Sequence, residues 1–203
     1  MESAFILVII LMISVILHET AHGFAAEALG DPTARLAGRL TMNPLVHIDP
    51  LGSVILPLLF VLSGSPIVFG WAKPVPFNPR NITGTKWKEK YGGALVAAAG
   101  PAVNILLAII FGLLVRFGVF GAELTGFFFM IVLVNCALAL FNLIPIPPLD
   151  GHHILASVLP PTWRQKYLAL YQYSFIFIFI AAFVLWQFVS PLVILLVRGI
   201  TGV

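Results

Sequence analysis

The sequence predicts an all-α polytopic membrane protein: a helical bundle with a re-entrant hairpin and a short extended or β element near residues 70–80. Three observations carry that reading. Hydrophobic residues make up 60% and charged residues 9% of the 203, with a mean hydropathy of +1.05, whereas soluble domains are about 25% charged. Apolar runs of the roughly 20 residues needed to cross a bilayer recur along the chain. The cations are also grouped, with nine of the eleven Lys and Arg residues in three polar stretches, and in a membrane protein such grouping sets orientation. The length leaves room for at most about six or seven spans, so residues 1–203 are expected to form a single membrane-embedded domain. Nothing in the net charge of +3 points to nucleic acid.

The first span, about residues 4–28, begins MESAFILVIILMISVIL. It lacks a cationic n-region and a small-residue cleavage site, and so reads as a retained helix. Residues 30–50 are a polar loop with Arg35 and Arg39, and residues 73–91 a second one with Lys73, Arg80, Lys86, Lys88 and Lys90. Arg164 and Lys166 make the third cationic stretch. If all three face the cytoplasm, residues 51–71 cannot cross once and must enter and leave on one side. Leu62-Ser63-Gly64-Ser65-Pro66 has the residues of a tight reversal, which predicts a re-entrant hairpin. Further spans follow at about 93–117, 124–144 and 167–189, with Ser190-Pro191 expected to kink or end the last. Cys136, the one cysteine, lies in an apolar run and reads as a packing residue.

Chemistry is concentrated in the first span, at His18-Glu19-Thr20-Ala21-His22. Four residues is one helical turn, so both imidazoles lie on one face and can bind one zinc, while Glu19 lies beside that face and can take a proton from the metal's water. A buried, purely structural polar cluster is the bland alternative. It is disfavoured because ionisable groups are costly within a membrane and mark function there. A catalytic zinc takes three protein ligands and keeps one position open. Among the eight acids, those at the terminus, in the polar loops or between spans are poorly placed, and Asp150 remains. It follows Pro145, Pro147 and Pro148, which end a helix and can turn a carboxylate back into the bundle.

With GPAVN at 100–104 and FNLIPIPPLDG at 141–151, the chain resembles the site-2 protease family of intramembrane zinc metalloproteases, peptidase family M50. The resemblance implies one Zn2+ held by His18, His22 and Asp150, Glu19 as catalytic base, and supporting roles for Asn142 and Asn104, whose alternative is interhelical hydrogen bonding. It also implies an extended element over residues 70–79 that receives an unwound substrate by strand addition, against a plain re-entrant turn. No PDZ or CBS domain is visible, so the likeness is to a minimal core. His152 and His153 after LDG read as a solvated cytoplasmic pair, and His47 either as a partner near the metal or as a loop histidine capped by its turns.

The expected function is intramembrane endopeptidase activity on membrane-protein substrates in regulated intramembrane proteolysis, in the cell membrane with the site toward the cytoplasm. A substrate-presenting partner would be compatible with it. A zinc-binding membrane protein without proteolytic activity is the rival. It is disfavoured because a transporter would show paired repeats and a structural zinc site four protein ligands.

Overall fold

The long helices pack through residues that recur every fourth position. In the computed structural model, which describes residues 2–63, 71–119 and 121–203, α1 spans Glu2–Ala28. Along it Ile10, Ser14, His18, His22 and Ala26 are all buried, a straight ridge of one-turn steps. After a short helical turn α2 (Thr33–Leu36) and a 3-10 turn Pro44–His47, the chain runs through a π-helical turn Pro50–Ile55 into α3 (Leu56–Leu62). The turn residues 64–66 expected to reverse the hairpin lie outside the described residues. Its two ends nevertheless meet, because Trp71 donates its N–H to Gly52 O at 3.1 Å and Ser53 Oγ donates to Trp71 O at 2.8 Å.

Residues 71–78 form no helix or turn, with extended dihedrals at Asn78, and the described residues contain no strand ladder. A 3-10 turn, Pro79–Asn81, leads to α4 (Lys86–Arg116), capped by the Thr85 side chain accepting from Lys88 N. The α4 helix is central and contacts α1 and three later helices. Its inner ridge is Gly92, Val96, Gly100, Asn104, Ala108 and Gly112. Small residues of this kind let backbones approach closely where there is no hydrophobic drive between helices in lipid. Next comes α5 (Ala122–Asn142). Its Val132 and buried Cys136 pack with Ala108, Val193 and Val197 as one apolar core.

From α5 the chain bends back through Leu143 to Leu149 into α6 (Asp150–Val158). Gly151 is required at this bend. A Cβ there would run into the carbonyl oxygens of Leu143 and Ile144. The rest is a continuous 41-residue helical stretch, Pro161–Thr201, made of α7 (Pro161–Ala169), a 3-10 turn, α8 (Ser174–Ile180), a π-helical turn and α9 (Trp186–Thr201). At 1.5 Å per residue this is about 60 Å, twice a hydrocarbon core, so only part of it lies in lipid. The exposed Trp163, Arg164 and Lys166 mark its start as interfacial. Of the kink or end expected at Ser190-Pro191, the end does not occur: α9 carries Pro191 in its first half and continues to Thr201.

Four helical stretches are long and apolar enough to span a bilayer, and many large apolar side chains of α1, α4 and α9 face outward. This is a multi-pass membrane protein. At the end of the bundle reached by the C-termini of α4 and α9, Arg116 Nη1 donates to Gly199 O at 3.0 Å.

Candidate metal centre

The one-turn spacing of α1 sets His18 over His22, with their Nε2 atoms 3.0 Å apart. The bend after α5 delivers Asp150 between them, Oδ2 at 3.1 Å from His18 Nε2 and Oδ1 at 3.3 Å from His22 Nε2. Zinc bonds of 2.0–2.1 Å in a tetrahedron place neighbouring ligand atoms about 3.3 Å apart. All three separations are close to that edge.

The other ring nitrogens decide which atoms face inward. His18 Nδ1 lies 2.6 Å from Asn104 Oδ1 and His22 Nδ1 2.7 Å from Val96 O. Each Nδ1 must donate to its oxygen, so each Nε2 turns a bare lone pair to the centre. Asp150 Oδ2 is buried and accepts no hydrogen bond. Three lone-pair donors facing one another without a proton between them fit a cation. The approach of α4 leaves space for one. A Cβ on Gly100 would stand 2.5 Å from His22 Nε2 and 2.6 Å from His18 Nε2.

Behind His18 runs a buried chain of amides and a hydroxyl. Asn104 Nδ2 donates to Asn135 Oδ1 at 2.8 Å, and Asn135 Nδ2 donates to Ser14 Oγ at 3.0 Å. Ser14 lies one turn before His18 on the same ridge. Neither Ser14 nor Asn135 stands out in the sequence, although polar residues inside apolar spans are the signal that finds them.

Glu19 lies beside the ligand face, and its Oε2 accepts the Val75 N–H at 2.8 Å. The extended segment 71–78 therefore forms the second wall of the site. Lys73 N–H donates to His47 O at 2.9 Å. The buried Arg39 donates through Nη2 to Lys73 O at 2.7 Å. His47 is a buried loop residue whose Nε2 lies 2.9 Å from Thr41 O, placing it with the segment's anchors. Asn142 stands apart from this constellation: its side-chain amide donates to Leu138 O of its own helix at 3.0 Å.

The expected solvated histidine pair is corrected. His152 is 0% exposed and its ring lies 4.4 Å from that of Tyr167, because α7 folds over α6. Burial first, and then His153, push His152 down to about 4, so it is neutral at physiological pH. His153 is half-buried and meets Phe77 edge-on at 6.0 Å, beside a cavity of about 190 Å³ that reaches Ala94, Ala156 and Arg164.

The model of peptidase family M50 matches residues 118–186. YwhC of Bacillus subtilis, a zinc metalloprotease by name, is 42% identical over 187 residues, 88% of this chain and 80% of the relative. The chain belongs to peptidase family M50. Rip2 of Mycolicibacterium smegmatis and Rip2 of Mycobacterium tuberculosis H37Rv, also zinc metalloproteases by name, are both 33% identical, over 82% and 83% of this chain. The chain spans 62% and 63% of their lengths. No solved structure matches. These comparisons support a zinc metalloprotease of the M50 family, in line with the site-2 protease resemblance of its motifs, and the four long apolar helices fit a multi-pass membrane fold.

Proposed function

We propose that this M50 member is an intramembrane endopeptidase that hydrolyses peptide bonds in or near transmembrane segments of membrane-protein substrates, as in regulated intramembrane proteolysis. The observation that carries the reading is the three-residue set His18, His22 and Asp150, with both histidines buried in the bundle and the Glu19 carboxylate beside them. One zinc per chain would be held by these three residues, and when bound it supplies Lewis-acid polarisation of the scissile carbonyl and an acidified water.

The chain's own groups do the rest. Glu19 takes the water's proton and returns it to the leaving amine. Asn104 fixes the His18 tautomer, and the Val96 carbonyl fixes that of His22. Asn142, next to the bend that carries Asp150, is assigned a supporting role toward the substrate backbone. His18 and His22 are buried and Asp150 is partly buried, which strengthens each charge interaction.

Substrate enters along the extended segment. Trp71, Lys73 and Val75 direct their N–H groups inward, which leaves Ala72 as the one other amide of residues 71–76 and a carbonyl edge in which Pro74 O already accepts from Arg39 Nη2 at 3.3 Å. Prolines have no N–H. A strand added there donates its amides to the segment's carbonyls and receives an N–H from Ala72 only, which restricts its register. The grouping of the cations in three stretches supports a site toward the cytoplasm of the cell membrane.

The test is cleavage of a panel of transmembrane-segment fusions by purified protein in detergent, with wild type, Glu19→Gln and chelator-stripped wild type compared. Wild type cuts, and stripped protein cuts after zinc is restored. Glu19→Gln keeps its zinc and is slower by about 100-fold or more, the range of a lost general base. Equal rates for wild type and Glu19→Gln would overturn the reading.

A further inference from the structure

We propose that Asp31 is a positioning residue for Glu19, acting through the extended segment between Val75 and Asn81. The inference rests on the reading of Glu19 as general base. Asp31 lies three residues beyond the end of α1 and outside the metal triad, and its side chain is 0% exposed. Its carboxylate accepts from two backbone amides and two side chains. Oδ1 accepts from Thr33 N at 3.1 Å, Thr33 Oγ1 at 2.5 Å and Asn81 Nδ2 at 2.7 Å. Oδ2 accepts from Asn78 N at 2.5 Å. Three residues before Asn78, the Val75 N–H holds Glu19 Oε2.

The segment needs such an anchor. It pairs with no strand among the described residues, and Pro74, Pro76 and Pro79 leave it few amides with which to hold itself. Arg39 secures it at Lys73, before Val75, and Asp31 secures it at Asn78, after Val75. The amide that orients Glu19 is therefore suspended between a buried cation and a buried anion. A carboxylate suits the second position because it is acceptor-only on both oxygens, whereas an asparagine would turn an NH₂ toward one of the donors. With that anchor lost, Val75 recedes and Glu19 becomes free to rotate away from the water it must deprotonate.

Four proteins test this: Asp31→Asn, Asn81→Ala, Val75→Pro, which deletes the N–H itself, and the double variant Asp31→Asn/Val75→Pro. Zinc content, kcat and KM on a transmembrane-segment fusion, and hydrogen exchange of the 71–81 peptide are measured for each. Asp31→Asn keeps its zinc, loses exchange protection at Val75 and has kcat lowered about 10- to 100-fold, part of what a general base contributes. Asn81→Ala, which keeps the carboxylate, shows a smaller loss in the same direction. The double variant is no slower than Val75→Pro, since both changes break one linkage. Multiplying losses in the double variant, or an unchanged kcat in Asp31→Asn, would overturn the proposal. If wild type itself cleaves nothing, the proteolytic reading fails separately and exchange alone decides the anchor. Unchanged protection in Asp31→Asn then refutes it.

Discussion

The two walls of the metal centre are built on different principles. One wall, α1 and α4, is helical, with buried residues at steps of four and small side chains where the backbones meet. Its geometry follows from the helix repeat. The other wall, residues 71–78, has no ladder and is held by separate bonds from Gly52, Ser53, Arg39, His47, Glu19 and Asp31. Its geometry follows from wherever those anchors sit. The helical wall should therefore govern metal affinity, and the extended wall should govern turnover and substrate entry.

Gly100→Ala tests the helical wall most severely. Its methyl would stand against both ligand nitrogens, and stoichiometric zinc by metal analysis should be lost while the protein remains folded by circular dichroism. Asn104→Ala releases His18 Nδ1 and should weaken zinc by about 10- to 100-fold in a chelator competition, the cost of losing such a partner. Asn135→Ala acts one bond further back. Membrane hydrogen bonds average about 0.6 kcal/mol, so only a severalfold loss is expected. Should Asn135→Ala weaken zinc as much as Asn104→Ala, the graded picture of that wall would fail.

The smallest effect expected is on the extended wall and depends on pH. Burial acts to raise the Asp31 pKa, but the donors Thr33, Asn81 and Asn78 outweigh it and hold the carboxyl below its ordinary 3.8. A folded pKa below the unfolded one means the anchor is fully present above pH 3.8 and fades as pH falls through the lowered value. Hydrogen exchange of the 71–81 peptide, corrected for intrinsic rates, should be unchanged from pH 7 to 5 and rise only below that window. A rise between pH 7 and 5 would assign the anchor to another group.

Much of the helical wall is legible in the chain because periodicity is local. His18, Glu19 and His22 need only one turn of helix to take up their places. The prolines before Asp150 announce a bend, and Gly100 sits within a quoted motif, though its steric reason appears only when two imidazoles stand above it. Ser14 and Asn135 are ordinary polar residues until a fold brings them to Asn104. His152 shows the reverse error, since a polar pair after a helix start reads as solvated and only the packing of α7 buries it.

By itself, then, the sequence determined the membrane class, most of the helical stretches and the candidate metal-binding residues, because hydropathy and the 3.6-residue repeat act over neighbours in the chain. Tertiary structure alone decided which nitrogens face the centre, which glycine leaves it room, and that a loop carboxylate at Asp31 reaches Glu19 through Val75. Those depend on hydrogen bonds between residues tens of positions apart. Their partners are chosen by how helices cross and loops return, which no local pattern encodes.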